Sequence, residues 1–257
     1  MNTELISCLC VSRNRTEYVA DALTCFLNQS YENKELIFVY EDNNKYISDI
    51  KERFNSKLIK YIEVSCNPKK SLGELRNISI QNSDGNVLIQ WDDDDIYHKD
   101  RITIQYNYMV KKNANAVMLD QRLFLFEDNL YKTIFGPFEG SLIFKKYLYK
   151  NKIIKGYTHK AKGEDTDLLI DLLKSNNIEF MNCPYLYLYR YTGENAWDLE
   201  HFRDIAKRSL LIKKIDSSKE KIIDVLTLDK STDYFKTSRI NKNRLYETYA
   251  KNFYRER

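Results

Sequence analysis

The sequence has little of what builds flexible linkers, secretion signals or membrane spans. Its 257 residues include only seven glycines and three prolines and show no repeat or low-complexity tract, so one compact unit is expected. No apolar stretch approaches the roughly 18 to 20 residues that a membrane span requires. The opening Met-Asn-Thr-Glu lacks the basic and apolar regions of a signal peptide. We therefore expect a cytoplasmic protein.

Common phosphate-binding and cysteine motifs are also missing. Neither G-x-x-x-x-G-K-[ST] nor a G-x-G-x-x-G after the first apolar run occurs, which disfavours P-loop and dinucleotide-binding proteins. A sugar nucleotidyltransferase would be expected to carry a glycine-rich, arginine-bearing loop there, so that class also loses ground. The five cysteines show no C-x-x-C spacing, which argues against a disulfide framework and a zinc site. Cys8 and Cys10 are expected to be core residues.

The most informative feature that is present is a run of four aspartates at residues 92–95, directly after Trp91. Adjacent carboxylates repel and an unpaired buried charge is costly, so such a run at a strand end needs a metal or a basic partner. Oxygen ligands favour Mg²⁺, Mn²⁺ or Ca²⁺ over zinc or copper. An EF-hand is excluded because its glycine and terminal glutamate are missing. The alternative is a solvated acidic turn that caps the next helix.

Strand-length apolar runs alternate with helix-period segments through the first hundred residues. This alternation predicts a parallel sheet covered by helices on both faces. Ligands of such sheets bind beyond the carboxyl ends of the strands, so the acidic run is expected to lie near the basic residues Arg13, Lys69, Lys70 and Arg76. The predicted strands are residues 5–11, 36–39, 58–64 and 87–90, and the predicted helices lie near residues 19–27, 45–54 and 72–79.

The second half of the chain has a more mixed pattern. After a helix near residues 99–111, strands at 116–126 and 131–135 are expected to form a hairpin about Asp128-Asn129. A helix is expected to begin at Glu164 and a strand near residues 178–181, followed by an aromatic segment at 185–191 and a helical pattern beyond Trp197. Buried packing is expected for both Trp91 and Trp197, and a loop at residues 135–141 could face a bound acceptor.

The last 22 residues, 236–257, carry seven Lys or Arg against two Glu, a net charge of +5. Tyr246, Tyr249 and Phe253 recur there at helical spacing, which predicts a basic amphipathic helix. The simpler interpretation is a closing helix whose aromatic residues pack on the core. The alternative is peripheral contact with an anionic membrane surface or an acidic partner.

Five short segments stand out in order along the chain. They are residues 6–31, with an S-R-N-R loop and a Q-S-Y turn; 35–42, ending in Glu-Asp; 72–77, with the pattern G-x-x-R-N; 84–95, ending in D-x-D-D; and 163–169, with the pattern E-D-x-D-L. Each segment alone is weak evidence, whereas five in this order and spacing are specific. Together they resemble the motifs of family 2 glycosyltransferases with the GT-A fold, as found in bacterial nucleotide-sugar-dependent enzymes.

The chain also departs from the family pattern. Tyr40 precedes the acidic pair of residues 41–42, so the turn that holds the nucleobase in relatives is altered. Thr192 stands where a Y-R-x-H-x-x-N segment has histidine, and His201 is the candidate substitute as a metal ligand.

The resemblance implies a mixed, mostly parallel α/β sheet flanked by helices, with a helical C-terminal extension. Residues 1–200 would form the GT-A domain, with a nucleotide-sugar-binding half at 1–100 and an acceptor half at 101–200, and residues 201–257 the extension. The implied activity is metal-dependent, inverting transfer from a UDP-sugar to a hydroxyl of a carbohydrate, lipid-linked or protein acceptor. The alternatives are a sugar-phosphate nucleotidyltransferase and a catalytically silent nucleotide-sugar-binding protein. No nucleic-acid partner is expected.

The resemblance also implies roles for individual residues. Asp94, with Asp92, would coordinate Mn²⁺ or Mg²⁺ at the donor phosphates, with His201 as a further ligand. Asp165 would be the general base for the acceptor hydroxyl, although its sequence also fits an ordinary helix start. Asp95 would begin the next helix. The residues expected to bind the nucleotide sugar are Ser12, Arg13, Glu41, Asp42, Arg76, Asp92 and Asp93, and those expected on the acceptor side are Glu164, Gly140 and Ser141.

Overall fold

Two β-sheets form the framework of the protein in the computed structural model, which describes residues 4–13, 17–160, 163–175, 178–215, 226, 238 and 240–255. The larger sheet contains β1 (Ile6–Ser12), β2 (Lys34–Glu41), β3 (Ile59–Val64), β4 (Val87–Gln90), β6 (Ala116–Leu119), β9 (Phe138–Lys145) and β10 (Ile178–Met181). The smaller sheet contains β5 (Ile96–Tyr97), β7 (Leu123–Phe126), β8 (Asn129–Lys132), β11 (Tyr187–Arg190) and β12 (Leu210–Lys214).

The larger sheet is mixed and mostly parallel, as predicted, with the strand order β10-β6-β9-β4-β1-β2-β3. Strand β1 lies parallel to both β2 and β4, whereas β9 runs antiparallel to β4 and β6. The helices are α1 (Glu17–Leu27), α2 (Ile47–Arg53), α3 (Leu72–Gln81), α4 (Arg101–Lys111), α5 (Tyr147–Lys150), α6 (Glu164–Lys174), α7 (Leu199–Arg208) and α8 (Lys242–Arg255), and residues Pro184–Leu186 form a 3₁₀ turn.

Both faces of the larger sheet are buried because successive residues of a strand point to opposite faces. Cys8 and Cys10 pack into one apolar cluster with residues of α1, whereas Leu9 packs into a second cluster with Leu75 of α3 and Leu168 of α6. The predicted core positions of both cysteines are confirmed. Parallel strands covered on both faces therefore read as nearly continuous apolar runs.

Helix α3 begins at a capping box that the sequence specifies. The Ser71 hydroxyl accepts a hydrogen bond from the Glu74 backbone N–H, and the Glu74 carboxylate accepts one from the Ser71 N–H. Two residues after the cap, Gly73 lies against the loop that precedes α6, where an added Cβ would lie 1.8 Å from the Thr158 carbonyl oxygen. Only glycine permits this approach of α3, and the approach brings Arg76 close to α6.

Two predicted elements differ from the structure, and one is confirmed. The apolar run at residues 116–126 forms two strands, β6 and β7, which belong to different sheets. The prediction of helix from Trp197 to the end is wrong at β12, where Leu210, Leu211, Lys213 and Lys214 pair with β8 at the sheet edge. The predicted hairpin is confirmed, since β7 and β8 pair about Glu127 and Asp128, both with left-handed backbone.

The C-terminal helix α8 packs on the protein. Tyr246 and Tyr249 are partly buried against the apolar cluster that contains α6, so the predicted packing of these two aromatic residues is confirmed. The side chain of Phe253 lies outside the described residues. In the part of the chain that the structure describes, no helix combines the length and apolar character needed to cross a bilayer.

Arg101, the first residue of α4, is fully buried and joins the two sheets. Its Nη2 donates hydrogen bonds to the backbone carbonyls of Gln90 (2.9 Å) and Gly140 (3.3 Å). The guanidinium also lies over the rings of Tyr97 and Tyr187, at 4.6 and 4.8 Å from their centroids. One cation thereby fixes β4, β9 and the smaller sheet around the strand ends.

We expect Arg101→Met to lower the free energy of unfolding by about 2–4 kcal/mol, measured by urea denaturation, because each buried carbonyl left without a donor costs about 1–3 kcal/mol. The control is Arg203→Met, which removes only an exposed ion pair with Glu200 and should cost less than about 1 kcal/mol. Equal effects of the two substitutions would contradict the anchoring role of Arg101.

Candidate active site

A cavity of about 670 Å³ opens at the carboxyl edge of β4. Its floor is the acidic run at residues 92–95, and its walls come from the start of α6, the loop that leads into β9, and α7. The cavity therefore lies where the sheet topology predicts a ligand. Arg13 and Arg76 line it, as expected, whereas Lys69 and Lys70 do not.

Asp92 is held at the floor of the cavity by three neighbours. Its Oδ1 accepts hydrogen bonds from Gln90 Nε2 (2.8 Å) and Arg76 Nη2 (3.1 Å), and its Oδ2 accepts one from the Tyr187 hydroxyl (3.2 Å). An added Cβ at Gly140 would lie 2.8 Å from Asp92 Oδ2, so a glycine is needed where β9 passes this carboxylate. The carboxylate is fixed before any ligand binds.

Asp95 is buried and serves the fold. Its carboxyl group lies within hydrogen-bond distance of the Tyr187 hydroxyl (2.6 Å) and accepts a hydrogen bond from the Arg190 backbone N–H (2.9 Å). Burial, followed by the charges of Asp94 and Asp92, raises the pKa of Asp95 well above its usual value. The prediction that Asp95 begins the next helix is wrong, because α4 begins only at residue 101; Asp95 instead ties β4 to β11.

Asp94 faces the cavity beside Asn195, whose Nδ2 donates a hydrogen bond of 2.9 Å to Asp94 Oδ2. The Asp94 backbone carbonyl accepts another from Arg190 Nε (2.8 Å). Asp93 is buried and also lines the cavity. All four residues of the run thus border the cavity, but the carboxyl group of Asp95 is buried against β11 of the framework.

Arg76 joins the acidic run to the start of α6. Its guanidinium lies 3.1 Å from Asp92, 3.4 Å from Glu164 and 3.9 Å from Asp165, measured between the nearest nitrogen and oxygen atoms. Burial alone lowers the pKa of Arg76, but the charges of Asp92 and Glu164 outweigh it and raise the pKa above its usual value. Arg76 therefore stays charged and holds Asp92 and the acidic residues of α6, which lie more than 70 positions further along the chain, within one cavity.

The first turn of α6 and the start of β9 supply three acidic groups with raised pKa values. Burial raises the pKa of Glu164 to about 7 and that of Glu139 to about 8. Burial also raises the pKa of Asp165, while Arg76 opposes the rise. Asp165 lines the cavity with its carboxylate partly exposed, and its Oδ1 accepts the Thr166 N–H at 2.8 Å. A partly exposed carboxylate of raised pKa can accept a proton from a bound hydroxyl.

The residues predicted to bind the nucleobase lie at the same sheet edge, and their side chains make contacts within the protein. Arg13 Nε lies 3.1 Å from Glu41, and its Nη2 donates to the Lys70 carbonyl. Asp42 is exposed outside the cavity lining, where hydrogen bonds from the Cys66 thiol and backbone N–H hold its pKa below the usual value. Ser12 is buried at the end of β1. Asn14 and Arg15 of the predicted loop lie outside the described residues.

The residues predicted on the acceptor side divide in the same way. The loop from Phe135 to Gly140 lines the cavity, and so does Glu164. Ser141 does not, because it is fully buried and its hydroxyl donates to the Phe138 carbonyl and accepts from the Leu119 N–H. Ser141 therefore lies behind the cavity wall, whereas Gly140 and Glu164 line the cavity.

The two tryptophans differ in their exposure to solvent. Trp197 lines the cavity and is strongly exposed, so the predicted burial is wrong, whereas Trp91 is fully buried as predicted and donates to the Ala22 carbonyl. His201 stacks on Trp197 with ring centroids 4.6 Å apart, and burial lowers its pKa. His201 thus lies at the cavity wall on α7, packed on an aromatic ring.

The residues at the cavity floor fit a magnesium or manganese ion that is shared with a bound diphosphate. In the described parts of the chain, no three His, Cys, Asp or Glu side chains are grouped to hold a metal by themselves. Mg²⁺, however, usually binds through one or two carboxylates and completes its shell with substrate phosphates and water. Asp92 and Asp94 at the floor provide carboxylates of that kind.

Several residues at the site are not predicted by the sequence motifs. Tyr187 and Asn195 hold Asp92 and Asp94 from about 100 residues away, and only Asn195 lay in a recognised motif. Glu139 is the second residue of β9, next to a segment noted for its aromatic residues. Arg122, which lines the cavity with its guanidinium 3.7 Å from the centroid of the Phe138 ring, has no signal in the sequence.

The model of the protein family described as Glycosyl transferase family 2 matches residues 7–172 of the chain. Because this match covers more than half of the sequence, the protein belongs to that family of glycosyltransferases. The predicted family and the predicted GT-A fold are both confirmed.

The relatives and solved structures differ in how much of them the chain spans. It is 29% identical over 116 residues to an uncharacterised glycosyltransferase of Rickettsia conorii, covering 44% of this chain and 18% of that protein. UDP-Glc:alpha-D-GlcNAc-diphosphoundecaprenol beta-1,3-glucosyltransferase WfgD of Escherichia coli is 21% identical over 229 residues, which are 81% of this chain and 85% of that protein.

Solved GT-A structures match at low identity. The 1–349 fragment of S. aureus TarS in complex with UDP-GlcNAc has a TM-score of 0.58 and 13% identity, over 78% of this chain and 64% of that one. Mannosyltransferase PcManGT from Pyrobaculum calidifontis, in complex with GDP-Man and Mn²⁺, has a TM-score of 0.56 and 13% identity, over 72% and 56%. The chain spans less than two thirds of either structure, and the likeness establishes the fold.

The raised pKa values predict that stability falls with rising pH. Between the ordinary glutamate value of 4.5 and the folded values of about 7 for Glu164 and 8 for Glu139, the folded state binds more protons than the unfolded state, so unfolding becomes easier as pH rises. We expect the Tm to be lower at pH 8 than at pH 6, with each kcal/mol worth about 2–4 °C for a domain of this size.

In the same experiment Glu139→Gln should reduce the pH-dependent fall in Tm, because it removes one buried acid that must ionise. The control is Glu52→Gln on the exposed side of α2, which should leave the fall unchanged. A Tm that is flat between pH 6 and 8, or an equal response of both variants, would contradict the assignment of buried acids.

Proposed function

We propose that this protein is a metal-dependent, inverting glycosyltransferase that moves a sugar from a UDP-sugar to a hydroxyl acceptor. The observation that carries the proposal is the Arg76 bridge, which places the acidic floor of the cavity and the carboxylates of α6 on either side of one cavity. The floor suits a donor diphosphate with its metal, and α6 suits an acceptor that must lose a proton. Departure of the donor diphosphate and deprotonation of the acceptor would thus each be served by its own set of carboxylates.

Asp94 is the proposed metal ligand, with Asp92 beside it. A bound divalent ion would neutralise the charge that grows on the departing nucleoside diphosphate, which stabilises the transition state more than the ground state. The hydrogen bond from Asn195 and the three bonds to Asp92 orient both carboxylates in advance. Preorganised charges of this kind lower the cost of reorganisation during the reaction.

Asp165 is the proposed general base. A direct displacement at the anomeric carbon requires one base on the acceptor side and inverts the configuration. The raised pKa of Asp165 gives it proton affinity, and its partial exposure to the cavity gives the hydroxyl access. Glu164 is almost fully buried behind it, which makes it the poorer candidate.

The donor and acceptor are proposed from chemistry and from relatives. A carboxylate accepts the imino N–H of uracil well, and Asp42 is the ionised candidate at the end of β2. The names of the similar proteins include UDP-Glc and a diphosphoundecaprenol-linked sugar for WfgD. We therefore propose a UDP-sugar donor and a carbohydrate, lipid-linked or protein acceptor.

The metal role predicts that Asp94→Asn lowers transfer by about 100- to 1,000-fold, since electrostatic groups aimed at the developing charge are worth that much. The assay incubates the protein with Mn²⁺, a panel of nucleotide sugars and extracted acceptors, and measures released nucleoside diphosphate. Asp49→Asn, on the exposed first turn of α2, is the control and should retain full activity.

Three outcomes of that assay would count against the proposal. Release of pyrophosphate instead of nucleoside diphosphate would indicate a nucleotidyltransferase. Donor binding without turnover by any acceptor would indicate a catalytically silent binding protein. Wild-type activity of Asp94→Asn would remove Asp94 from the metal site.

The base role predicts that Asp165→Asn binds donor as the wild type does but loses transfer by about 100- to 10,000-fold, the usual contribution of a general base. Donor binding is measured by calorimetry and transfer by mass spectrometry of the product. Glu164→Gln is the matched variant on the neighbouring residue. If Glu164→Gln abolishes transfer and Asp165→Asn does not, the base is Glu164.

A further inference from the structure

An apolar rim borders the cavity on its acceptor side. We define it by Ile134, Phe135, Trp197, Leu210, Leu211 and Ile212, whose exposed fractions range from 42% to 62%. In the described part of the chain eleven large apolar side chains are strongly exposed, and these six are more than half of them. Their concentration at one place differs from the scattered exposure that is normal on protein surfaces.

The rim is continuous in the fold. Leu210 of β12 pairs with Lys132 of β8, two residues before Ile134. Arg208 and Ser209, which directly precede Leu210, line the same cavity as Phe135 and Trp197. All five residues of β12 are exposed, so this edge strand projects from the smaller sheet.

Basic residues flank the apolar side chains. Lys213 and Lys214 complete β12, Lys132 lies opposite Leu210, and Arg208 precedes the strand. Among the described residues of β8, β12 and the adjoining turn, the acidic ones are Glu127 and Asp128, at the opposite end from Leu210. Apolar side chains next to clustered Lys and Arg are the combination that binds an anionic lipid surface.

We propose that the apolar rim docks on an anionic membrane surface, so that the mouth of the cavity faces the lipid headgroups. A second copy of the chain seated on the rim would cover the cavity mouth and bring its own lysines against these, and lysines on an edge strand oppose pairing with another strand. A lipid surface leaves the cavity open to amphipathic molecules that diffuse in the membrane. The docking surface is thus β12 and its neighbours, and not the basic helix α8.

This inference extends the proposed function, because a docked cavity would receive a lipid-linked acceptor. Vesicle binding is measured without donor or acceptor, and donor turnover is measured without vesicles. A failure of docking is therefore distinguishable from a failure of the proposed activity.

The test is co-sedimentation of the whole protein with vesicles of phosphatidylglycerol and phosphatidylcholine, compared with phosphatidylcholine alone, at low and high salt. We expect binding to the anionic vesicles that weakens with salt. The triple variant Leu210→Thr, Leu211→Thr and Ile212→Thr should bind at least about tenfold more weakly while it keeps the β propensity of the strand. Its matched control, Val110→Thr, Leu58→Thr and Ile153→Thr, changes three exposed apolar residues outside the rim and should bind as the wild type does.

A pair of charge reversals separates the two basic surfaces. Lys213→Glu on β12 should weaken binding several-fold, whereas Arg244→Glu on the exposed side of α8 should not. The proposal is overturned if the wild type ignores anionic vesicles, if the rim variant binds as well as its control, or if Arg244→Glu alone abolishes binding. It is also overturned if the rim variant converts a wild-type dimer to a monomer in sedimentation velocity, since the rim would then be an interface between copies.

Discussion

The site depends on the balance between crowded carboxylates and a few buried guanidinium groups. Residues 92–95, Glu139, Glu164 and Asp165 bring seven acidic side chains to one cavity, and their mutual repulsion opposes folding. Arg76 links the acidic floor to α6. The Arg190 guanidinium donates to the Asp94 carbonyl, and the Arg190 backbone N–H donates to the Asp95 carboxyl group. Without Arg76, the carboxylates of the floor and of α6 would face one another with no cation between them.

The same balance explains why the framework around the cavity is rich in buried hydrogen bonds. Tyr187 contacts both Asp92 and Asp95, and its ring packs edge-on against Tyr97 and Phe138. Arg101 lies on the other side of the Tyr187 ring. These contacts join residues of both sheets in one buried polar network beside the floor of the cavity.

The part of the site that the sequence predicts is built from consecutive strand and helix units. The order of β1 to β4, the position of residues 92–95 at a strand end and the approach of Arg76 all follow from local patterns. The rest of the cavity is assembled from distant pieces: β9 passes Asp92, Asn195 reaches Asp94, and Tyr249 comes from α8. No local periodicity encodes such contacts, so the sequence offers no signal for Glu139 or Arg122 at the cavity and predicts helix where β12 forms.

Asp165 illustrates how opposing effects set the chemistry of one group. Burial and the neighbouring Asp92 charge raise its pKa, while the guanidinium of Arg76, 3.9 Å away, lowers it. A carboxylate at its ordinary pKa would be a weak acceptor for a hydroxyl proton, and one buried without a cation would remain protonated and could not act as a base. The residue that gathers the acids therefore also keeps the proposed base ionisable, so Arg76 on α3 couples the acidic floor of the cavity to the chemistry proposed for α6.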